Sequence, residues 1–171
     1  FPILNNFQVG YLSGKILSTK LGQESGYNNR EFLAISINSE FDTRNDRLLP
    51  VLGKYFKLMI DVGLDEQSMY YKTNFENQLF LQLMQSTYAK LQNVVYSINY
   101  LRGPVPKSRY FKLGGHSSLR GFDEESLLKP QFHIVTLELI HQQKGRLQIK
   151  SFIDLGLDNF VNYNEYLYGY G

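Results

Sequence analysis

The chain alternates between apolar and polar positions over long stretches. From Glu31 to Asp42, Leu33, Ile35, Ile37 and Phe41 fall on one face of an extended segment, with Ala34, Ser36, Asn38, Glu40 and Asp42 on the other. Tyr55 to Leu64 repeats the arrangement, setting Phe56, Leu58, Ile60, Val62 and Leu64 opposite Lys57, Met59, Asp61 and Gly63. Arg146 to Gly156 sets Leu147, Ile149, Ile153 and Leu155 against Gln148, Lys150, Phe152 and Asp154. A period of two belongs to strands, because successive side chains leave a pleated backbone on opposite faces. The pattern predicts an all-β chain with seven strands, near 7–20, 30–42, 53–65, 69–85, 88–102, 131–142 and 146–158, and an eighth beginning near Glu165.

Several of these strands are far longer than the usual five or six residues. Long strands with one apolar face suit the tilted wall of a membrane-spanning barrel, with the polar face lining a wet interior. The connections alternate in style. Short turns fall at Gln85–Tyr88 and Gln142–Gly145, and longer ones at Leu21–Asn29, Asn159–Asn164 and Arg102–Pro130, as in outer-membrane barrels. One connection on the short side is longer, Thr43 to Gly53, punctuated by Pro50 and Gly53. There Asp42, Arg44 and Asp46 either pair locally and hold the turn shut or form an ordinary solvated charged turn. Alternation alone also leaves open a soluble β-sandwich or lipocalin-like barrel, whose strands carry the same two faces.

Composition narrows this picture. The 171 residues make room for one domain. No apolar run reaches the roughly 20 residues that a spanning helix needs, which excludes a helical membrane protein but not a β-barrel. Tyr 13 and Phe 12 without Trp suit strands and membrane-interface girdles. The net charge of +2 comes from scattered Lys and Arg, so the basic stripe of a nucleic-acid binder is missing and no nucleic acid is expected as a partner. Without cysteine there is no disulfide frame, thiol nucleophile or Cys-based metal site. The start at Phe1-Pro2 and the end at Gly169-Tyr170-Gly171 look like cuts through a longer protein.

The richest chemistry lies in Leu113-Gly114-Gly115-His116-Ser117-Ser118-Leu119-Arg120-Gly121-Phe122. Two glycines accept the positive φ of a tight turn. The arginine that follows is flanked by apolar residues, and a charged fork in such a setting invites a shielded carboxylate. An exposed glycine turn with an incidental arginine is the plainer alternative. Catalysis is not expected: His116 stands beside Ser117 and Ser118, but there is no G-x-S-x-G elbow. Gly114-Gly115 is not followed by a helix that could receive a phosphate. His133 and His141 share the apolar face eight residues apart, about 26 Å along a strand, too far to ligate one metal with His116. Asp61, Asp65 and Glu66 read as a solvated strand end. No enzyme activity, cofactor or metal is expected.

Three motifs, in order, resemble those of the BamA/TamA superfamily of outer-membrane surface-antigen barrels. Glu40-Phe41-Asp42-Thr43-Arg44-Asn45-Asp46 with Pro50 and Gly53 resembles its turn. Leu113-Gly114-Gly115 through Ser118-Leu119-Arg120-Gly121-Phe122 resembles its glycine-rich arginine loop. Phe152-Ile153-Asp154-Leu155-Gly156 resembles its F-x-D-x-G strand. The resemblance covers about residues 30–171 and implies a BamA/TamA-type fold. That fold is an antiparallel transmembrane wall of seven or eight meander strands, about half of a barrel of about sixteen, with 102–131 as a long extracellular loop. The family's loop tip, here Arg120-Gly121-Phe122, folds back into the lumen, where its arginine pairs with wall acids, here Glu138 and Asp154. The alternation independently puts both acids on the inferred lumen face: Glu138 shares a side with Ile134 and Thr136, and Asp154 lies opposite Ile153 and Leu155. A shielded pair of this kind contributes about 1.5–3 kcal/mol.

The resemblance further implies residence in the bacterial outer membrane, with membrane lipids as surroundings and a part in inserting or assembling outer-membrane proteins. Client β-barrel proteins would be the partners, with periplasmic or lipoprotein accessory subunits. The alternative is a secretion pore or membrane anchor for a passenger polypeptide, of the two-partner secretion or patatin-linked type. A soluble all-β binding protein is the third reading.

Overall fold

A computed structural model describes residues 4–16, 30–65, 68–116, 118–143, 147–158 and 166–171. Eight strands, all but the last of them long, form one antiparallel sheet: β1 (Leu4–Ile16), β2 (Arg30–Asp42), β3 (Gly53–Asp65), β4 (Met69–Met84), β5 (Thr87–Tyr100), β8 (Gln131–Gln142), β9 (Gln148–Leu157) and β10 (Tyr166–Tyr170). Two three-residue strands, β6 (Phe111–Leu113) and β7 (Leu127–Lys129), make a separate hairpin within the connection between β5 and β8. Each long strand pairs with its sequence neighbour, and β5 pairs with β8 across that connection, giving the order β1-β2-β3-β4-β5-β8-β9-β10. Among the described residues the sheet is open, with β1 and β10 as its edges. No helix is long and apolar enough to cross a membrane, which says nothing of crossing by strands.

Burial settles which way each face of the alternation points. Leu33, Ile35, Val62, Leu64, Leu81, Leu83, Leu137, Leu139, Ile153 and Leu155 all face outward and are exposed. Their neighbours Ala34, Asp61, Tyr70, Phe80, Ile98, Ile134, Glu138 and Asp154 face inward and are buried. An apolar belt of this extent is too large for a monomer's wet surface and belongs against lipid or another apolar partner. A 13-residue strand tilted by about 40° rises about 30 Å, the thickness of a bilayer core.

The described residues of 101–130 fold back along the inner face instead of standing away from it. A single 3-10 turn at Lys107–Arg109 lays its arginine between two rings of the wall, 4.3 Å from the Phe32 centroid and 4.8 Å from that of Tyr70. Val105 and Phe111 then pack on the buried Ala34, Tyr70 and Ile98. Phe111 also joins Tyr96 and Phe132 in an aromatic group with centroids 4.8–5.8 Å apart. The sequence shows this region as a plain loop over 102–131. The hairpin β6–β7 within it is too short for any periodicity to register.

Other expectations shift in detail. The connection from β3 to β4 is only 66–68, although it lies on the side of the longer loops. Asp65 closes it by accepting the Ser68 N–H at 3.2 Å. Asp61 is not a solvated strand end: inward orientation buries it, and it accepts a 2.6 Å hydrogen bond from Ser36 Oγ. Asp65 accepts from the Tyr100 hydroxyl. The loops at Leu21–Asn29 and Asn159–Asn164, the stretch 17–20 of the first strand, Glu66, Ser117, Glu165 and most of the turn after Gln142 lie outside the described residues.

Candidate functional site

The tip between β6 and β7 is shaped by its backbone. Gly114 and Gly115 take φ values of +104° and +89°, which residues bearing a Cβ adopt only under strain. Ser118 closes the turn reciprocally: its Oγ accepts the Gly114 N–H at 2.9 Å and donates to the Gly114 carbonyl at 2.9 Å. The Gly115 N–H donates to the Phe122 carbonyl at 2.9 Å, and the His116 N–H to Glu124 Oε1 at 3.0 Å. Leu119 is thereby driven into a buried cluster with Leu113, Phe132 and Ile134, against which Phe122 also packs. Arg120, next in the chain, is left facing β8 and β9.

Its guanidinium meets two carboxylates. Nε and Nη2 of Arg120 donate to Oδ2 and Oδ1 of Asp154, each at 2.8 Å, and Nη1 donates to Glu138 Oε1 at 2.7 Å. The Arg120 backbone N–H reaches Asp154 Oδ2 at 3.2 Å, and Thr136 Oγ1 donates to Asp154 Oδ1 at 2.7 Å. Asp154 is wholly buried and Glu138 nearly so, and the Phe152 ring centroid lies 3.5 Å from the guanidinium carbon. The strand register explains the convergence: Thr136 stands opposite Asp154 and Glu138 opposite Phe152, so all four project from one patch of the β8–β9 pair. Burial would lower the pKa of Arg120, but hydrogen bonds to Asp154 and Glu138 outweigh it and raise the pKa above the ordinary value. Bidentate, charge-assisted geometry of this kind is among the strongest polar contacts a protein makes.

Two glycines on the wall make room for the tip. Leu119 lies against Gly156, where an added Cβ would sit 3.3 Å from its side chain. At Gly169 on β10 an added Cβ would run into the Arg120 carbonyl. Gly156 ends the F-x-D-x-G motif, and its role is to keep the wall flat under Leu119. Gly121, just past the arginine, has a φ of +93°.

The turn from 43 to 52 is a second ordered feature, at the opposite end of the sheet. Arg44 donates to both oxygens of the buried Asp42, from Nε at 2.9 Å and Nη2 at 2.8 Å, and lies 4.3 Å from the Tyr55 ring centroid. The hydrogen bond to Asp42 holds the Arg44 pKa above its ordinary value, against the desolvation that accompanies it. Asp46 accepts the N–H groups of Leu48 and Leu49, and Asn45 Oδ1 those of Val51 and Leu52. Past Pro50, Val51 turns inward onto Phe80 and Ile140. Gly53, with φ of +105°, passes so close to the Thr43 carbonyl that a Cβ would collide with it. Of the two readings left open for this turn, the Asp42–Arg44 pair is made, while Asp46 orders the backbone.

Lys90 and Glu124 escaped the sequence reading, and Thr136, Gly169 and Asn45 stood in it without the roles they play here. Lys90 stands opposite Glu138 in the β5–β8 register, which thirty residues of intervening chain conceal. Thr136 was visible as a neighbour of Glu138 on the lumen face, but not as a donor to Asp154. His133 and His141 both project outward on β8, and among the described residues no group of three His, Asp or Glu is gathered for a metal ion.

The chain matches the Omp85 superfamily domain over residues 3–165. No curated protein and no solved structure matches it. With an apolar outward belt, an inner face that carries the buried charged cluster and a match over nearly its whole length, the chain belongs to the Omp85 superfamily, outer-membrane β-barrels of the protein-insertion and secretion type.

Proposed function

We propose that this chain is part of the barrel wall of a BamA/TamA-type protein of the bacterial outer membrane, that it takes part in inserting or assembling outer-membrane proteins, and that it does so without catalysing a covalent reaction. The observation that carries the reading is Arg120. A loop borne between two wall strands folds back along the inner face and ends in a guanidinium clamped by Glu138 and Asp154. Such a clamp sets the position of a long loop inside a barrel against its ordering entropy. Membrane lipid on the outward belt, client β-barrel proteins and periplasmic or lipoprotein accessory subunits are the partners this function requires.

The test is Arg120→Ala in the full-length protein. Removing the cation leaves two buried carboxylates, one of which keeps Lys90, and breaking a buried pair costs about 3–5 kcal/mol. Protease cleavage near Ser118 should rise at least about tenfold, given that cost, and the amount of folded client barrels in the outer membrane should fall. Unchanged cleavage and unchanged client levels would overturn the reading. A loosened loop with normal client assembly but lost export of a passenger would assign the chain to secretion instead.

A further inference from the structure

Arg120 is not the only cation at its seat. Lys90 projects from β5 and places Nζ 3.3 Å from Glu138 Oε2, while Arg120 holds Glu138 Oε1. The two cations thus share one carboxylate, an oxygen each. Asp154 belongs to Arg120 and Thr136. With the loop seated, two positive and two negative groups are in direct contact, and Lys150 on β9 adds a more distant positive charge that acts on Lys90 and Glu138. Three of the four in contact, Lys90, Glu138 and Asp154, stand on the wall strands β5, β8 and β9; Arg120 alone belongs to the loop.

This division decides the sign of Lys90's effect on docking. The Lys90–Glu138 contact is available whether the loop is in or out, so it cancels from the balance between the two states. What does not cancel is the repulsion between Lys90 and Arg120, which exists only with the loop seated. When the guanidinium withdraws, Glu138 Oε1 also becomes free to Lys90. Both effects favour release. We propose that Lys90 makes the anchor reversible: a counter-ion built into the wall that keeps Glu138 paired while Arg120 is away, so that the loop can leave and return. The inference rests on Arg120 being the loop's anchor and adds the regulation of that site. A residue that merely oriented Glu138 for Arg120 would act in the opposite direction.

The experiment compares Lys90→Met, Lys90→Gln, Lys90→Arg, Arg120→Ala and the Lys90→Met/Arg120→Ala double variant of the full-length protein in native membranes. The readout is the rate of cleavage at the loop tip by a protease indifferent to basic residues. Lys90→Met and Lys90→Gln should be cleaved roughly three- to tenfold more slowly than wild type, the range a partly shielded charge interaction supports. Lys90→Arg should restore the wild-type rate. The double variant should match Arg120→Ala, because the repulsion has lost one of its partners. Cleavage of folded Lys90→Met at or above the wild-type rate would overturn the proposal while leaving the anchor intact. Wild-type cleavage of Arg120→Ala would instead overturn the anchor itself. Folding is followed by heat-modifiable gel mobility; failure of both neutral variants to fold would also overturn the proposal, since a residue required for folding is not a release device.

Discussion

Arg120 supplies the charge of the anchor, but glycines decide whether that charge can arrive. The tip backbone lies flush on β10 at Gly169, with the Arg120 carbonyl where a Cβ would be. Gly169→Ala leaves every charged group in place and still should unseat the tip, because β10 cannot yield without breaking its pairing with β9, so the loop backbone must move instead. Overpacking of this sort costs about 1–3 kcal/mol. Faster cleavage near Ser118 in the full-length protein checks it, with Tyr168→Ala, whose side chain is exposed on the outward face, as the silent control. Wild-type cleavage in Gly169→Ala would show that the tip seats without the notch. At this scale the sequence was partly legible. Arg120, Glu138 and Asp154 could be named because the family resemblance points to them, and alternation agreed by putting both acids on one polar face. Gly169 could not, because the need for a missing Cβ comes from a loop nearly fifty positions away in the chain.

Elements add what single residues do not: the inner face is covered from both ends. From one end, 101–130 lays Val105, Arg109 and Phe111 on β2, β4 and β5 before it delivers Arg120 to β8 and β9. From the other, the turn 43–52 carries Val51 across to Ile140 and brings the Leu49 carbonyl within 3.4 Å of Gln148 Nε2 on β9. The Asp42–Arg44 pair is the hinge pin of that turn. Arg44→Ala removes the bidentate partner of a buried carboxylate and leaves Asp42 the backbone N–H of residue 44, at 3.0 Å, and Arg47, at 3.8 Å. The expected loss is about 1.5–3 kcal/mol, the net worth of a hydrogen bond to a charged group. It should be read as a lowered midpoint of heat-modifiability for the full-length barrel, and an unchanged midpoint would reduce the pair to ornament. The turn's punctuation by Pro50 and Gly53 was readable in the sequence. Its reach beneath the sheet was not, since a ten-residue connection carries no period that says where its apolar residue goes.

On the scale of the whole molecule, the outward belt is the property that a membrane tests. Leu137 and Leu139 on β8 and Ile153 and Leu155 on β9 form one contiguous apolar area across the register Leu137–Ile153 and Val135–Leu155. Leu137→Arg should destabilise the inserted barrel by about 2–4 kcal/mol if this position lies near the midplane. The inward Thr136→Ser, one position away, should cost far less. Both are read from the folded fraction in outer-membrane preparations, and equal tolerance of the two would contradict the assignment of faces.

Period-two alternation alone determined that this chain makes long strands, which side of each is apolar, and therefore which acids share the polar side. Those are local matters, set by the pleat of a backbone whose side chains must leave on alternate faces. Tertiary structure decided everything that joins distant segments. It placed Lys90 across from Glu138, moulded the wall to the loop tip at Gly156 and Gly169, and drew Val51 beneath the sheet. Register between strands separated by a long loop follows from the summed packing of both faces, and no stretch of sequence carries that sum by itself.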